Sequence, residues 1–268
     1  MTSQSASIIP SNRLKKTLKE GGTAIGTFVV EFRQTAVLQL LANAGMQFVT
    51  LDNEHGAFSM ETIGEMCRAA VWLGITPLVR IPEISYPWIA QTMDVGAQGL
   101  MVPRITSAER VRQVVRWMRY PPQGERGNAM ERGLTQFRSA GVAQTLLDIQ
   151  RETFLIVQIE TVQAVEQIDE ILAVDGVDAA LIGPNDLSIA LGTPGQQDHP
   201  SVQEAIFKTI AACRAHQVIP AIHMSNLELA SFWAGQGMRL VSTGSDVAFL
   251  GRSAQAAVTT LRKAFEHP

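Results

Sequence analysis

Eight apolar runs, each the length of a β-strand, alternate with segments of helical period, and this rhythm constrains the fold more than any other feature of the chain. The runs are TAIGTFVV, QFVTLD, TPLVRI, GLMVPR, TFLIVQIE, VDAALIG, VIPAIHM and RLVSTG. They are nearly continuous in Val, Ile and Leu. A strand with one wet face alternates apolar with polar, whereas a strand of a parallel sheet covered on both faces does not. The segments between them, such as METIGEMCRAAVWLG, SAERVRQVVRWMR and SVQEAIFKTIAACRAH, space their apolar residues for one face of a helix. Gly45, Gly74, Gly96, Gly176 and Gly237 fall where such helices should stop. Eight strand–helix units predict a closed parallel (β/α)8 barrel, with an open doubly wound sheet as the runner-up.

A chain of 268 residues suits one such barrel. No Gly/Ser-rich or Pro-rich linker interrupts it, so a single domain over 1–268 is expected. The net charge of −3 favours neither nucleic acid nor an anionic membrane surface. No apolar run approaches the roughly 20 residues of a membrane-spanning helix. The opening MTSQSASIIPSNRLKK lacks the pattern of a secretory leader. Cys67 and Cys213, the only two cysteines, make no disulfide framework, and a cytoplasmic setting is expected. Residues 119–138, RYPPQGERGNAMERGLTQFR, form a long charged connection, a length that usually signals function or disorder.

In a barrel of this type the chemistry sits at the C-terminal ends of the strands, and here those ends carry the polar residues. They are Glu31-Phe32-Arg33, Asp52-Asn53-Glu54-His55, Arg80, Pro103-Arg104, Gln158-Ile159-Glu160, Asn185-Asp186, His223 and Thr243-Gly244-Ser245. Glu160 and Asp186 end neighbouring strands, where two carboxylates repel unless one is protonated or a cation bridges them. A hard divalent cation such as Mg²⁺ or Mn²⁺ accepts such a pair and keeps positions for water and substrate oxygens. The competing reading is pairing with nearby bases, or helix capping by Asp186. The turn GPND opens a helix whose free N–H groups suit an anion such as a carboxylate. Arg80 is either a salt-bridge partner for Asp52 or a donor to a developing enolate oxygen, and the two roles are compatible. His55 is either structural or an acid/base.

These segments together resemble the metal-dependent 2-oxo-3-deoxy acid aldolases of the HpcH/HpaI aldolase/citrate lyase family. LDNEHG, LVRIP, MDVGAQGLMVPR, RYPPQGERG, IVQIETVQAVEQIDEIL, VDGVDAALIGPNDLS and GSDVAFLGR carry the resemblance, from about residue 14 to residue 261. It implies a barrel of the phosphoenolpyruvate/pyruvate type, whose C-terminal helix is exchanged between subunits of a homo-oligomer, a hexamer or a trimer. It implies that Glu160 and Asp186 hold a divalent metal (Mg²⁺, Mn²⁺ or Co²⁺) and that Gln158 meets the keto oxygen or a metal water. The backbone at Asn185 and Asp186 would take the substrate carboxylate, and Arg80 would stabilise the enolate. His55 would be the acid/base, Asp94 its partner, and Asp52 would orient Arg80 or the histidine. PPQGERG would close over the substrate with Arg126 near the mouth. The implied reaction cleaves or forms a 4-hydroxy-2-oxo acid from a small 2-oxo acid and an aldehyde. That metal-dependent reaction needs no lysine Schiff base, and none of these strands ends in lysine.

The chain departs from the family at VVEFRQ, where Glu31, Phe32 and Arg33 would narrow or recharge the acceptor side, and at NAMERG in the long connection. His223 has no counterpart that the resemblance assigns. Arg33, Arg126 and Arg132 would favour a multiply charged acceptor. Oxaloacetate decarboxylation or condensation with an acyl thioester is the alternative use of the same enolate, and a non-catalytic oligomeric scaffold ranks third.

Overall fold

The computed structural model describes residues 7–266. The ends of the expected domain, residues 1–6 and 267–268, and with them the first part of the opening segment, lie outside the described residues. Eight parallel strands close in sequence order, from β1 (Ala24–Val29), β2 (Phe48–Asp52), β3 (Thr76–Arg80) and β4 (Gly99–Val102) through β5 (Phe154–Ile159), β6 (Ala179–Ile182), β7 (Ile219–His223) and β8 (Leu240–Ser245) back to β1. Closure rests on the pairing of Ala24 with Leu240 and Ile25 with Val241. At the other end of β2 and β3, Asp52 pairs in register with Arg80, which sets the two side chains together. The closed barrel, rather than the open sheet, is the outcome.

The helices begin with α1 (Arg13–Lys19), at one end of the barrel, and the outer layer follows with α2 (Ala36–Asn43), α3 (Met60–Trp72), α4 (Tyr86–Asp94), α5 (Ala108–Met118) and α6 (Val142–Glu152). It continues with α7 (Val162–Glu166), α8 (Ile168–Leu172), α9 (Pro184–Ala190), α10 (Pro200–His216), α11 (Leu227–Gly235) and α12 (Asp246–Glu266). Two of these helices leave a weak imprint on the sequence. The buried face of α6 carries Thr145 and Asp148 beside Ile149, so polar residues share its inner side. α1 has only seven residues. The run AVEQIDEILAVDG forms two short helices, α7 and α8, instead of one. Gly74 and Gly96 end their helices with φ of 78° and 120°, a conformation that side chains with a Cβ rarely adopt.

α1 decides which end of the barrel is open. Leu14 and Leu18 pack with Phe48, Leu78, Met101 and Phe154 inside the strands. The backbone of Leu14 donates to Thr76 Oγ1 at 3.1 Å, at the start of β3, and Arg239 Nε donates to the Gly22 carbonyl at 3.2 Å. These contacts cap the N-terminal ends of the strands and leave the C-terminal ends as the mouth.

The connection 119–138 lies at the capped end. It follows α5, and a helix of a βα unit runs back from the mouth to the strand starts. Its backbone is tied to the end of that helix by Glu125 N–H to the Arg116 carbonyl at 2.7 Å and Arg126 N–H to the Arg119 carbonyl at 2.9 Å. A 3₁₀ turn, Gly133–Thr135, then packs so tightly on α4 that a Cβ on Gly133 would stand 2.1 Å from the Val95 carbonyl oxygen. The expected closure of PPQGERG over the mouth of its own barrel is therefore not what the fold provides.

Candidate active site

A cavity of about 280 Å³ opens at the mouth. Its wall takes Asp52 and His55 from the end of β2, Arg80 from β3, Gln158 from β5, and Asn185 and Asp186 from the first turn of α9. The sequence LDNEHG turns sharply because Asp52 organises it. Asp52 Oδ1 accepts the N–H of Glu54 at 3.0 Å and of His55 at 3.4 Å. A Cβ on Gly56 would stand 2.2 Å from the Asp52 carbonyl oxygen, so only glycine fits that turn. The turn leaves the His55 side chain exposed at the mouth.

Asp52 is buried and grips Arg80 with both oxygens, Nε to Oδ1 at 2.8 Å and Nη2 to Oδ2 at 2.6 Å. Nη1 of Arg80 meets Glu54 Oε2 at 3.1 Å, and the guanidinium lies 4.9 Å above the Phe28 ring. Burial alone would lower the Arg80 pKa. The hydrogen bond and charge of Asp52, with Glu54 and Glu160, outweigh it and raise the pKa. Arg80 is thus a fixed, permanent cation, and both of its expected roles are open to it.

Glu160 is buried beside this cation. Its Oε1 accepts the backbone N–H of Arg104 at 2.7 Å, and its Oε2 accepts from Gln158 Nε2. Burial raises its pKa, and the charges of Glu54 and Asp186 push the same way against Arg104 N–H and Arg80. Gly183 makes room for this cluster, since a Cβ there would lie 3.1 Å from Gln158 Nε2 and 3.2 Å from Glu160 Oε2.

The donor set fits a hard divalent cation. The charge of Asp186 raises the proton affinity of Glu160, and a cation held between two carboxylates relieves that repulsion. Gln158 Oε1 is buried without a partner, an acceptor facing nothing in the protein. Among the described residues no group of three or more His, Cys, Asp or Glu side chains forms a complete metal cage.

Glu54 and Arg104 are the site residues that sequence reasoning left without a role. Glu54 bridges the two arginines, since its Oε1 also accepts from Arg104 Nε at 3.1 Å. The third ionisable group within LDNEHG was its signal. Arg104 has φ 53°, a backbone setting that aims its N–H at Glu160 and leaves no mark in the sequence.

Three expected site residues lie elsewhere. Asp94 ends α4 at the capped end, where it pairs with Arg126 and not with His55. The Arg126 side chain is fully buried, with Tyr120 under its guanidinium at 5.0 Å. Arg126 is therefore absent from its own chain's mouth, for the same reason as the loop that carries it. Arg132 belongs to that loop as well. Glu31 is exposed beyond the end of β1 and outside the cavity wall, because Asp246 accepts the N–H groups of Val30, Glu31 and Phe32 and turns the chain outward. Arg33 is exposed on that same segment. His223 does line the cavity.

A (β/α)8 barrel with an acidic pair, a clamped arginine and a free histidine at its mouth belongs to the class of barrel enzymes that make and break carbon–carbon bonds. The HpcH/HpaI aldolase/citrate lyase family matches residues 25–252, and the chain belongs to it. It is 36% identical to 4-hydroxy-2-oxo-heptane-1,7-dioate aldolase of Escherichia coli, over 91% of this chain and 93% of that one. It is 34% identical to hydroxypyruvate/pyruvate aldolase of Roseobacter denitrificans, over 90% and 93%. The crystal structure of an HpcH/HpaI aldolase from Desulfitobacterium hafniense superposes with a TM-score of 0.90 at 34% identity, covering 93% of this chain and 96% of that one. The chain is an aldolase, a carbon–carbon lyase of small molecules. Aldolases of this family generally use a divalent metal. Among the described residues no helix is long and apolar enough to cross a membrane.

Proposed function

We propose that this chain is a divalent-metal-dependent aldolase that joins a 2-oxo acid such as pyruvate to an aldehyde, and cleaves the resulting 4-hydroxy-2-oxo acid. The observation that carries the reading is the two-oxygen grip of Asp52 on Arg80, in a cavity wall shared with Asp186 and with the buried Glu160 carboxylate beside it. Glu160 and Asp186 would hold Mg²⁺, Mn²⁺ or Co²⁺. Bound there, the cation supplies Lewis-acid polarisation of the substrate oxygens. The first-turn N–H groups of Asn185 and Asp186 have no intrahelical acceptor and suit the substrate carboxylate. Gln158 Oε1 suits a water or hydroxyl at the keto end.

In cleavage, His55 takes the proton from the C4 hydroxyl, directly or through water. The C3–C4 bond breaks, the aldehyde leaves, and the pair of that bond stays with the donor as an enolate, with the charge on the C2 oxygen. Arg80 stabilises that charge, because a fixed cation needs no reorganisation as the charge develops. Protonation at C3 then releases the 2-oxo acid. Asp52 positions Arg80 and the His55 backbone.

A homo-oligomer, trimeric or hexameric, is part of the proposal. Beyond Gly251, α12 is exposed along its length with Val258, Leu261 and Phe265 outward, which supports exchange of this helix between subunits. An apolar groove of about 480 Å³ between Val37, Leu40, Leu41 and Phe249 would receive it. In such an assembly a neighbouring subunit would complete the contacts of the Asp94–Arg126 pair. The buried free thiols of Cys67 and Cys213, their pKa pushed up to about 12 by burial, support a cytoplasmic setting.

The test is proton exchange at C3 of pyruvate in D₂O, followed by NMR with chelator and then with Mg²⁺ or Mn²⁺. Metal-dependent exchange is expected. No exchange with any of these metals would overturn the reading and bring forward oxaloacetate decarboxylation, acyl-thioester condensation or a scaffold role.

A further inference from the structure

His223 is the one ionisable side chain of the cavity wall that the proposed reaction does not use. It ends β7 and lines the cavity beside β8 and β1. Its Nδ1 is 3.0 Å from Ser242 Oγ, and its ring meets Phe28 edge to face at 4.7 Å. The face of Phe28 also carries the Arg80 guanidinium. Arg80, Phe28 and His223 therefore form one continuous surface. With Nδ1 engaged, Nε2 is the remaining hydrogen-bonding atom of the ring. Burial, with the charge of Arg80 beside it and that of Asp52 opposing, holds the imidazole pKa down to about 4, so the ring is uncharged near neutral pH.

The next step rests on the function proposed above. C2 of a 2-oxo acid is trigonal. With the carboxylate at the start of α9 and the keto oxygen toward Arg80, its third substituent, C3, has two sides open to it. The β5 side carries Gln158, bonded to Glu160, which the proposed reaction already uses at the keto end. The β7–β8–β1 side, with His223 and Phe28, remains. A bare methyl group there would leave Nε2 shielded from water without a partner, which costs more than a hydrogen bond returns. A hydroxyl can donate or accept, and so satisfies either tautomer that Ser242 selects.

We infer that His223, positioned by Ser242 and Phe28, makes this aldolase prefer a 2-oxo acid donor that carries a hydroxyl on C3. The test compares hydroxypyruvate with pyruvate on the Mn²⁺-loaded protein, by calorimetric binding and by C3 proton exchange in D₂O. The wild type should favour hydroxypyruvate. His223→Leu should lower the hydroxypyruvate-to-pyruvate ratio at least about ten-fold, since a site built to bond a hydroxyl discriminates strongly. His223→Gln, which carries an amide to about the place of Nε2, should restore part of that ratio, and Ser242→Ala should lower it less than His223→Leu does. If His223→Leu does not fold, the Gln and Ser242→Ala variants carry the comparison. A ratio unchanged in the variants, with metal-dependent exchange of pyruvate intact, would overturn this inference and leave the aldolase reading standing. Absence of metal-dependent exchange with both donors would overturn both.

Discussion

Two aspartate–arginine pairs sit at opposite ends of this barrel and are built differently. At the mouth, Arg80 has a partner on every nitrogen: Asp52 takes Nε and Nη2, and Glu54 takes Nη1. At the capped end, Arg126 meets Asp94 through Nη2 alone, while Nε and Nη1 are buried without partners. The first arrangement fixes a cation in one orientation at a cavity, as electrostatic catalysis requires. The second is satisfied only in part within one chain, and a buried guanidinium with spare donors is a costly thing to keep. A second subunit is the component that would complete it under the assembly proposed above. The mouth should therefore respond to mutation mainly in rate, and the capped end mainly in stability.

The sharpest break in the comparison is Glu160→Ala. Loss of the metal-holding carboxylate should cut metal-dependent turnover by roughly 10³-fold or more, since a Lewis acid contributes several kcal/mol. The thermal midpoint without metal should fall little, and a large fall would move Glu160 from function to structure. Asp94→Ala tests the other end. Removing Asp94 leaves the buried Arg126 charge without its partner, a loss of about 3–5 kcal/mol. Denaturant unfolding at fixed protein concentration should show this, and Asp94→Ala combined with Arg126→Met should recover most of it. A single variant as stable as wild type would mean that the pair is solvated in the native protein.

Arg80→Lys replaces a planar fork by a point charge. A loss of about 10²–10³ in kcat is expected, as for removal of one donor to a developing oxyanion. Near-normal kcat in steady-state assays would reduce Arg80 to a structural partner of Asp52. The smallest effect is linked to pH. The His223 pKa is held at about 4 in the folded protein against 6.5 when unfolded. Below pH 6.5 the unfolded chain binds a proton that the folded protein refuses. Stability should therefore fall between about pH 6.5 and pH 4, by on the order of 3 kcal/mol, and the slope should flatten below that range. His223→Gln should remove this part of the pH dependence in melts taken across the range.

Much of the mouth was legible because its residues stand at strand ends, and strand ends are visible in a sequence. Asp52, Arg80, Gln158 and Glu160 end or immediately follow apolar runs, and Asp186 opens the next helix. The pairing of Asp52 with Arg80 was also within reach, since β2 and β3 are consecutive and parallel. Glu54 and Arg104 were not, because their partners lie about 50 residues away and a positive φ aims one of them. The destination of residues 119–138 follows from a rule of connectivity: a segment after a helix returns to the strand starts, whatever its charge. The family resemblance implied a lid there, and topology overruled it.

The sequence by itself determined the eight strand–helix units and the polar strand ends, because apolar periodicity and helix caps act over a few residues. Only the tertiary structure decided which groups meet. Closure of β8 on β1 brings His223, Phe28 and Arg80 into one surface, though they come from the seventh, first and third strands. It also separates Asp94 and Arg126 from His55 by the length of the barrel. Such contacts depend on the register and curvature of the whole sheet, and no local stretch of residues encodes them.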